Sequence, residues 1–500
     1  MICGAAVAAQ AGDFMDTWVT FAISDDNLLA GAEDRSPGAG FHYTGNQAFF
    51  DNLDRSATGY ETLAHLVLYK RLNSYFPHLE LEAALVIQLE NVTDEVTWEN
   101  ETQLGDDGSY INLNYYFDAA TMRGDRLGLT LFPVNSDRFR LGYAYDLSWG
   151  GNVTWPTNTQ PVPGMKLRWD FGTADSAALG GYLYGGVKAA RLLNQQINEV
   201  DTYYGFLAGL GLDFSHTVMW EANGGVFQKG PFPPQTVAEE ITDKPIDAHG
   251  ASTRLTWRSG MPIGESVDFR LYRNDMDSVR QALAPEQYDD SFSHRVSLEA
   301  TYREQQMLAW DDPTTVMYEP AMAGNLSLRF KYRNWRFHAD AVYRQLSYIL
   351  FDVPGLAPYY AYPDDATTTD EFFVAGGVDY FFPSAHLTLG LVGGYKRPAT
   401  YQGPTDIPDA ATDQNIIVVR DVGDMEILPA GEDAFDIVTV KPTIRLDLAD
   451  GFGLLGEVDY TIDNNRTKYT DDEEGIAKRV FDDYNVTHIL GFSLLMQARF

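Results

Sequence analysis

The chain has little of what a soluble catalyst or a nucleic-acid binder needs. Of its 500 residues only Cys3 is a cysteine, which excludes an internal disulfide framework and any multi-cysteine metal site. Basic residues are scarce: 36 Lys and Arg stand against 71 Asp and Glu, a formal net charge of −35. Phosphate backbones require a basic surface, so nucleic acid is excluded as a partner. No apolar run reaches the ~18 residues that a membrane-crossing helix requires. Mean hydropathy is −0.26. The sequence contains no G-x-S-x-G, no G-x-x-x-x-G-K-[ST], no H-E-x-x-H and no G-x-G-x-x-G opening a helix. Ser293-His294 and Ser215-His216 are adjacent pairs, which on a strand point to opposite faces and cannot form a dyad. No enzymatic function and no cofactor are therefore expected.

What is present is alternation. Aromatic residues are abundant, with 29 Tyr, 28 Phe and 9 Trp, and segments of period two recur along the chain, separated by turn residues. Leu326, Leu328, Phe330 and Tyr332 share one face, against Ser327, Arg329, Lys331 and Arg333. In the next segment Trp335, Phe337, Ala339, Ala341 and Tyr343 oppose Arg336, His338, Asp340 and Arg344. The chain ends in the same way: Phe492, Leu494, Met496, Ala498 and Phe500 form one face, and Gly491, Ser493, Leu495, Gln497 and Arg499 the other.

Gly491, Leu494, Met496 and Phe500 stand where a Gly, spaced hydrophobics and a terminal Phe stand in the C-terminal assembly signal of bacterial outer-membrane β-barrels, which this segment resembles. It departs from that pattern at Ile489, where a polar residue is usual, and at Ala498, where an aromatic is common; the match covers the last strand alone. The resemblance implies an all-β chain, a closed antiparallel transmembrane barrel of about 18–20 strands, in the outer membrane of a Gram-negative bacterium. Its implied partners are outer-membrane lipid, lipopolysaccharide and the barrel assembly machinery. Hydropathy does not reveal such a barrel, because only alternate residues face lipid.

Residues 1–11 read as the remnant of a signal peptide, with Ala9-Gln10-Ala11 as a small-x-small cleavage site but without a basic leader. Residues 12–60 hold a first strand near 15–23 or 41–50, with linker or plug, and residues 61–500 form the barrel. Nineteen strands are expected from residue 61 onward, among them 138–148 and 266–274, and the N-terminal one makes twenty. Pro442 falls inside one of them, at the cost of a ladder hydrogen bond. With both termini in the periplasm, this count places 24–60, 92–108, 305–323, 348–370, 397–434 and 464–487 outside the cell. It places 149–164, 189–201, 229–248 and 275–292 in the periplasm. The five external loops after residue 91 carry 27 acidic and 6 basic residues, and the four periplasmic connections 11 and 4. External acidic pairs such as Asp471-Asp472 offer hard oxygen ligands to surface divalent cations, though chiefly they keep the surface solvated. The periplasmic connections are long, and 187–194 and 277–283 have helical character, which would suit docking of periplasmic protein partners.

A basic ladder is the strongest constellation: Arg295, Arg303, Arg329, Lys331, Arg333, Arg336, His338 and Arg344 lie on three successive strands. Facing hydrocarbon, each would cost about 2–4 kcal/mol near the bilayer midplane, so the ladder belongs on the lumen side. Set against Asp340, Glu299, Asp268, Glu457 and Asp459, it resembles the wall of a porin constriction, with a transverse field that biases ion selectivity. The leading reading is a porin-like passive channel for small hydrophilic solutes. The alternative is a salt-bridged, non-conducting barrel that anchors an envelope-spanning machine of the gliding-motility or secretion type.

Overall fold

The computed structural model describes residues 16–25, 27–30, 38–39, 65–90, 103–106, 109–118, 124–132, 139–144, 147–150, 162–172, 179–194, 199–214, 217–232, 245–261, 291–312, 314–351, 360–363, 365–403, 415–421, 424–449, 452–471 and 477–499. Among the described residues, eighteen strands make the wall. They are β1 (Asp16–Asp25), β2 (His65–Asn73), β3 (Leu79–Glu90), β4 (Tyr110–Tyr116), β5 (Arg126–Phe132) and β6 (Gly164–Phe171). Next come β7 (Leu179–Asn194), β8 (Glu199–Phe214), β9 (Val218–Pro231), β10 (Pro245–Ser259), β11 (Phe292–Leu308) and β12 (Val316–Tyr332). The last six are β13 (Trp335–Arg344), β14 (Glu371–Phe382), β15 (Leu387–Arg397), β16 (Ile437–Ala449), β17 (Phe452–Ile462) and β18 (His488–Arg499).

Each strand pairs antiparallel with the next, from β1 to β18. β18 then returns to β1, with Phe21 opposite Met496 and Ile23 opposite Leu494, so the wall closes on itself. Closure removes the unpaired edge that an open sheet would expose, which makes an antiparallel barrel viable inside a bilayer. The first strand falls in the earlier of the two windows expected for it.

Period two fixes what each face carries. On β11, Phe292, Leu298 and Tyr302 look outward at 59%, 57% and 38% exposure, while Ser293, Glu299, Thr301 and Arg303 look inward at 5% or less. The outer face is an apolar belt between two aromatic girdles. Phe214, Trp257, Phe292, Tyr332, Trp335 and Phe382 mark one edge, and Tyr204, Phe206, Tyr302, Tyr318, Tyr343 and Tyr395 the other. No helix among the described residues is long and apolar enough to cross a membrane. A closed cylinder with an apolar outside and a charged inside is an outer-membrane β-barrel.

Pro442 lies on the outward face of β16, paired with Leu391 of β15. Towards β17 the ladder runs Val440 to Tyr460, then resumes at Thr443 with Glu457 in the same register, skipping Lys441 and Pro442. The missing N–H of proline accounts for the gap.

The eighteen strands correct the expected side of several connections. Residues 138–148 are not a wall strand, and 266–274 lie outside the described residues. Residues 149–164, 189–201 and 229–248 therefore join strands at the same end as the long connections 345–370 and 398–436, whereas 275–292 stays at the opposite end. That opposite end holds the two-residue turn 333–334, the start of β1 and the end of β18, which by the usual pattern of such barrels makes it the periplasmic end. The helical character expected of 187–194 is overturned as well: these residues continue β7 and pair with β8 through Asn194 opposite Glu199.

Candidate functional site in the lumen

Two pieces of the outer connections lie inside the cylinder. The first is a strap, residues 139–144 and 147–150, between β5 and β6; Arg140 and Leu141 pair with Gly150 and Trp149. Glycine permits its bends: Gly142 and Gly150 have φ of +92° and +91°, where a side chain is strained. The second is the short helix α1 (Leu346–Leu350) with Phe351, which follows β13.

The strap crosses the lumen. On one side Phe139, Leu141 and Trp149 pack with Tyr182, Tyr184, Leu207, Met219 and Phe227 of β7–β9. On the other, Leu147 joins Tyr348 and Phe351 against Val342, Phe373 and Val392. The Tyr348 hydroxyl donates to the Leu147 carbonyl, which ties strap to helix.

Side chains of the wall hold the strap by its backbone. Glu299 accepts the Tyr143 and Ala144 N–H groups at 2.8 and 2.7 Å, and Asn223 Oδ1 accepts the Gly142 N–H at 3.3 Å. The guanidinium of Arg254 lies 4.6 Å from the Tyr143 ring centroid and is itself bound to Glu221, which also accepts the Tyr182 hydroxyl at 2.6 Å. Burial, reinforced by the nearby Tyr182 and Glu221, pushes the Tyr143 phenol well above its usual range. Arg303, 1% exposed, has its guanidinium 5.2, 5.0 and 5.6 Å from the ring centroids of Trp149, Tyr348 and Phe351.

Around this obstruction the wall is laced with ion pairs, within and between strands. Arg126 and Arg168 bind Asp170 at 2.9 and 2.8 Å, and Arg258 binds Asp213 at 3.1 Å. Arg329 binds Asp340 and Arg336 binds Asp379, both at 2.6 Å, and Lys441 binds Glu457 at 3.3 Å. Glu371 takes Arg344 and Lys396 together, each at 2.8 Å. Towards the outer end, Arg420 and Arg466 converge on Asp463, joining the connection after β15 to that after β17.

Of the expected ladder, Arg295, Arg303, Arg329, Lys331, Arg336, His338 and Arg344 alternate onto the inward face with Glu299 and Asp340. Arg333 does not: it occupies the two-residue turn between β12 and β13 at φ +53°, exposed beside the Tyr332 ring. Arg258, Arg295 and Arg329 stand directly opposite one another across β10–β12. Asp340 sits on the strand next to Arg329 and Asp379 on the strand next to Arg336, so these two arginines are paired locally. Asp268 and Ser215-His216 lie outside the described residues. Ser293 points into the lumen, while His294 faces outward with its ring 4.2 Å from that of Trp257. In the last strand Gly491 faces inward and Leu494 and Met496 outward, and Phe500 lies outside the described residues. Among the described residues, no group of three or more His, Cys, Asp or Glu is placed to hold a metal ion.

No family model matches the chain, and no curated protein matches it. Solved structures that it resembles include the outer membrane protein OpdK of Pseudomonas aeruginosa, at TM-score 0.44 and 8% identity, over 97% of this chain and 98% of that one. OpdL of the same organism gives TM-score 0.42 and 10% identity, over 97% of each chain. OmpT of Vibrio cholerae, an outer membrane protein in its trimer form, gives 0.35 and 11%, over 97% of this chain and 99% of that one. The architecture of this barrel rests on its own strand pairings rather than on these likenesses.

The strap, Asn223 and the Arg254–Glu221 pair have no counterpart in the expected ladder. Glu221 and Asn223 do alternate with Trp220 and Ala222, so their face was visible in the sequence. Their partners were not, because register decides which inward groups meet.

Proposed function

We propose that this barrel is a passive channel for small hydrophilic solutes, with the ion-paired inner wall as its path and the strap with α1 as its narrowest part. The carrying observation is the inner face itself. Charged and hydroxyl side chains line it from Arg336 and Arg258 near the periplasmic end to Arg344 and Lys396 deeper in, while the outer face is apolar. Because most arginines have a carboxylate on a neighbouring strand, the wall is polar without a strong net field, which favours weak ion selectivity.

A second reading is a non-conducting barrel that anchors periplasmic protein partners. The apolar cluster of Leu147, Tyr348, Phe351, Phe373 and Val392 within the lumen favours it. Planar-bilayer recording of the purified protein separates the two. Stable single-channel steps support the channel, and silence together with a copurifying periplasmic partner supports the anchor.

A further inference from the structure

We propose, resting on the channel reading, that the wall site under the strap binds short peptides bearing an aromatic side chain, and that the strap is a tethered occupant of that site. Three successive backbone N–H groups, of Gly142, Tyr143 and Ala144, donate to side-chain acceptors of β9 and β11: Asn223 Oδ1 at 3.3 Å and the two oxygens of Glu299 at 2.8 and 2.7 Å. The aromatic ring between those donors lies under Arg254, which Glu221 holds in place. Every one of these contacts is to peptide backbone or to an aromatic face, so none depends on the tether. The wall therefore presents the complement of an extended peptide: acceptors for consecutive amides and a cation for a ring.

The strap also fits its site incompletely. The Tyr143 hydroxyl and Trp149 Nε1 are buried and make no hydrogen bond among the described residues, although buried polar groups are nearly always satisfied. A free peptide whose first residue carries the ring would place its α-ammonium at Glu299, where the strap offers the neutral Tyr143 amide. Charge-assisted hydrogen bonds are the stronger kind, so such a peptide competes with the strap. The site selects an N–H donor chain with a ring, not a sugar or an inorganic anion.

The test is hydrogen exchange on the full chain folded in micelles, read over the amides of 142–144, with the tripeptide Tyr-Ala-Ala as probe. Exchange is expected to rise about ten-fold with Tyr-Ala-Ala and to stay unchanged with sucrose. Acetylating the peptide's amino terminus should weaken the effect, and Glu299→Gln should raise the concentration required about ten-fold. Unchanged exchange in the native protein, or an equal response to sucrose, overturns the proposal; neither comparison needs a variant to fold. A full response in Glu299→Gln overturns it as well. Exchange does not require conduction, so a protein silent in bilayers would sink the channel reading while leaving this measurement intact, and the reverse holds.

Discussion

Moving an arginine by one residue along β11 should change its cost sharply. Leu298 lies close to the middle of the outward run from Phe292 to Tyr302, and Ser297 beside it faces the lumen, its hydroxyl 3.0 Å from that of Thr256. An arginine on the lipid face costs about 2–4 kcal/mol at the midplane and about 0–1 kcal/mol near the interfaces. Leu298→Arg should therefore lose about 3 kcal/mol, more than a hundred-fold in the folding equilibrium. Ser297→Arg loses one hydroxyl hydrogen bond, worth about 0.5–1.5 kcal/mol, and places its charge on the polar side. Tyr302→Arg, at the girdle, should cost far less than Leu298→Arg. Urea titration of the three variants in lipid vesicles, followed by the gel shift between folded and unfolded forms, measures the series. Equal costs for Leu298→Arg and Ser297→Arg, or no dependence on depth between Leu298 and Tyr302, would refute the assignment of faces.

Three further outcomes are expected. Glu371 is buried and takes both Arg344 and Lys396, so Glu371→Ala should cost about 3–5 kcal/mol. The double variant with Arg344→Ala should fall short of additivity by about 0.5–3 kcal/mol, and additive losses in a urea double-mutant cycle would show that the pair is not coupled. Asp463 is buried, which by itself disfavours its charge, but Arg420 and Arg466 outweigh burial and hold its carboxyl below the ordinary range. Its contribution is therefore complete above about pH 3.9 and is lost only as pH falls through the lower folded value. Exchange protection of 417–421 should stay flat from pH 7 to 5 and drop in stronger acid, whereas Asp463→Asn should lose that protection already at neutral pH. Pro442→Val should restore the ladder bond towards β17 and raise the urea midpoint by the equivalent of about 0.5–1.5 kcal/mol; a lowered midpoint would mean that the gap has another cause.

The faces of the wall were legible in the sequence because period two is strict wherever one side meets lipid. Leu326, Phe337 and Leu494 stand on the outer face as their alternation required. The strap misled for a physical reason. Arg140, Leu141, Gly142 and Tyr143 alternate like a wall strand because a segment threaded through a lumen also has two sides: Phe139 and Leu141 pack towards β7–β9, while Arg140 between them donates to Ser148 of the strap itself. That single misreading displaced three connections to the wrong end of the cylinder. The basic ladder could be placed on the inside from cost alone, but its partners could not. Asp379 lies 43 positions from Arg336, and Glu371 27 positions from Arg344, so only the register of β13 against β14 brings them together. Arg333 was lost to a turn whose two residues extend the alternation without belonging to it.

The meeting of β1 with β18 sets an order of events. Until the segment ending at Arg499 is delivered, the wall is a ribbon with two raw margins, each carrying unmet amide and carbonyl groups that hydrocarbon cannot solvate. The seam between Trp18–Asp25 and Phe492–Arg499 closes both margins at once. A copy lacking β18 has nothing to mate with its opening strand, and both margins stay raw against hydrocarbon.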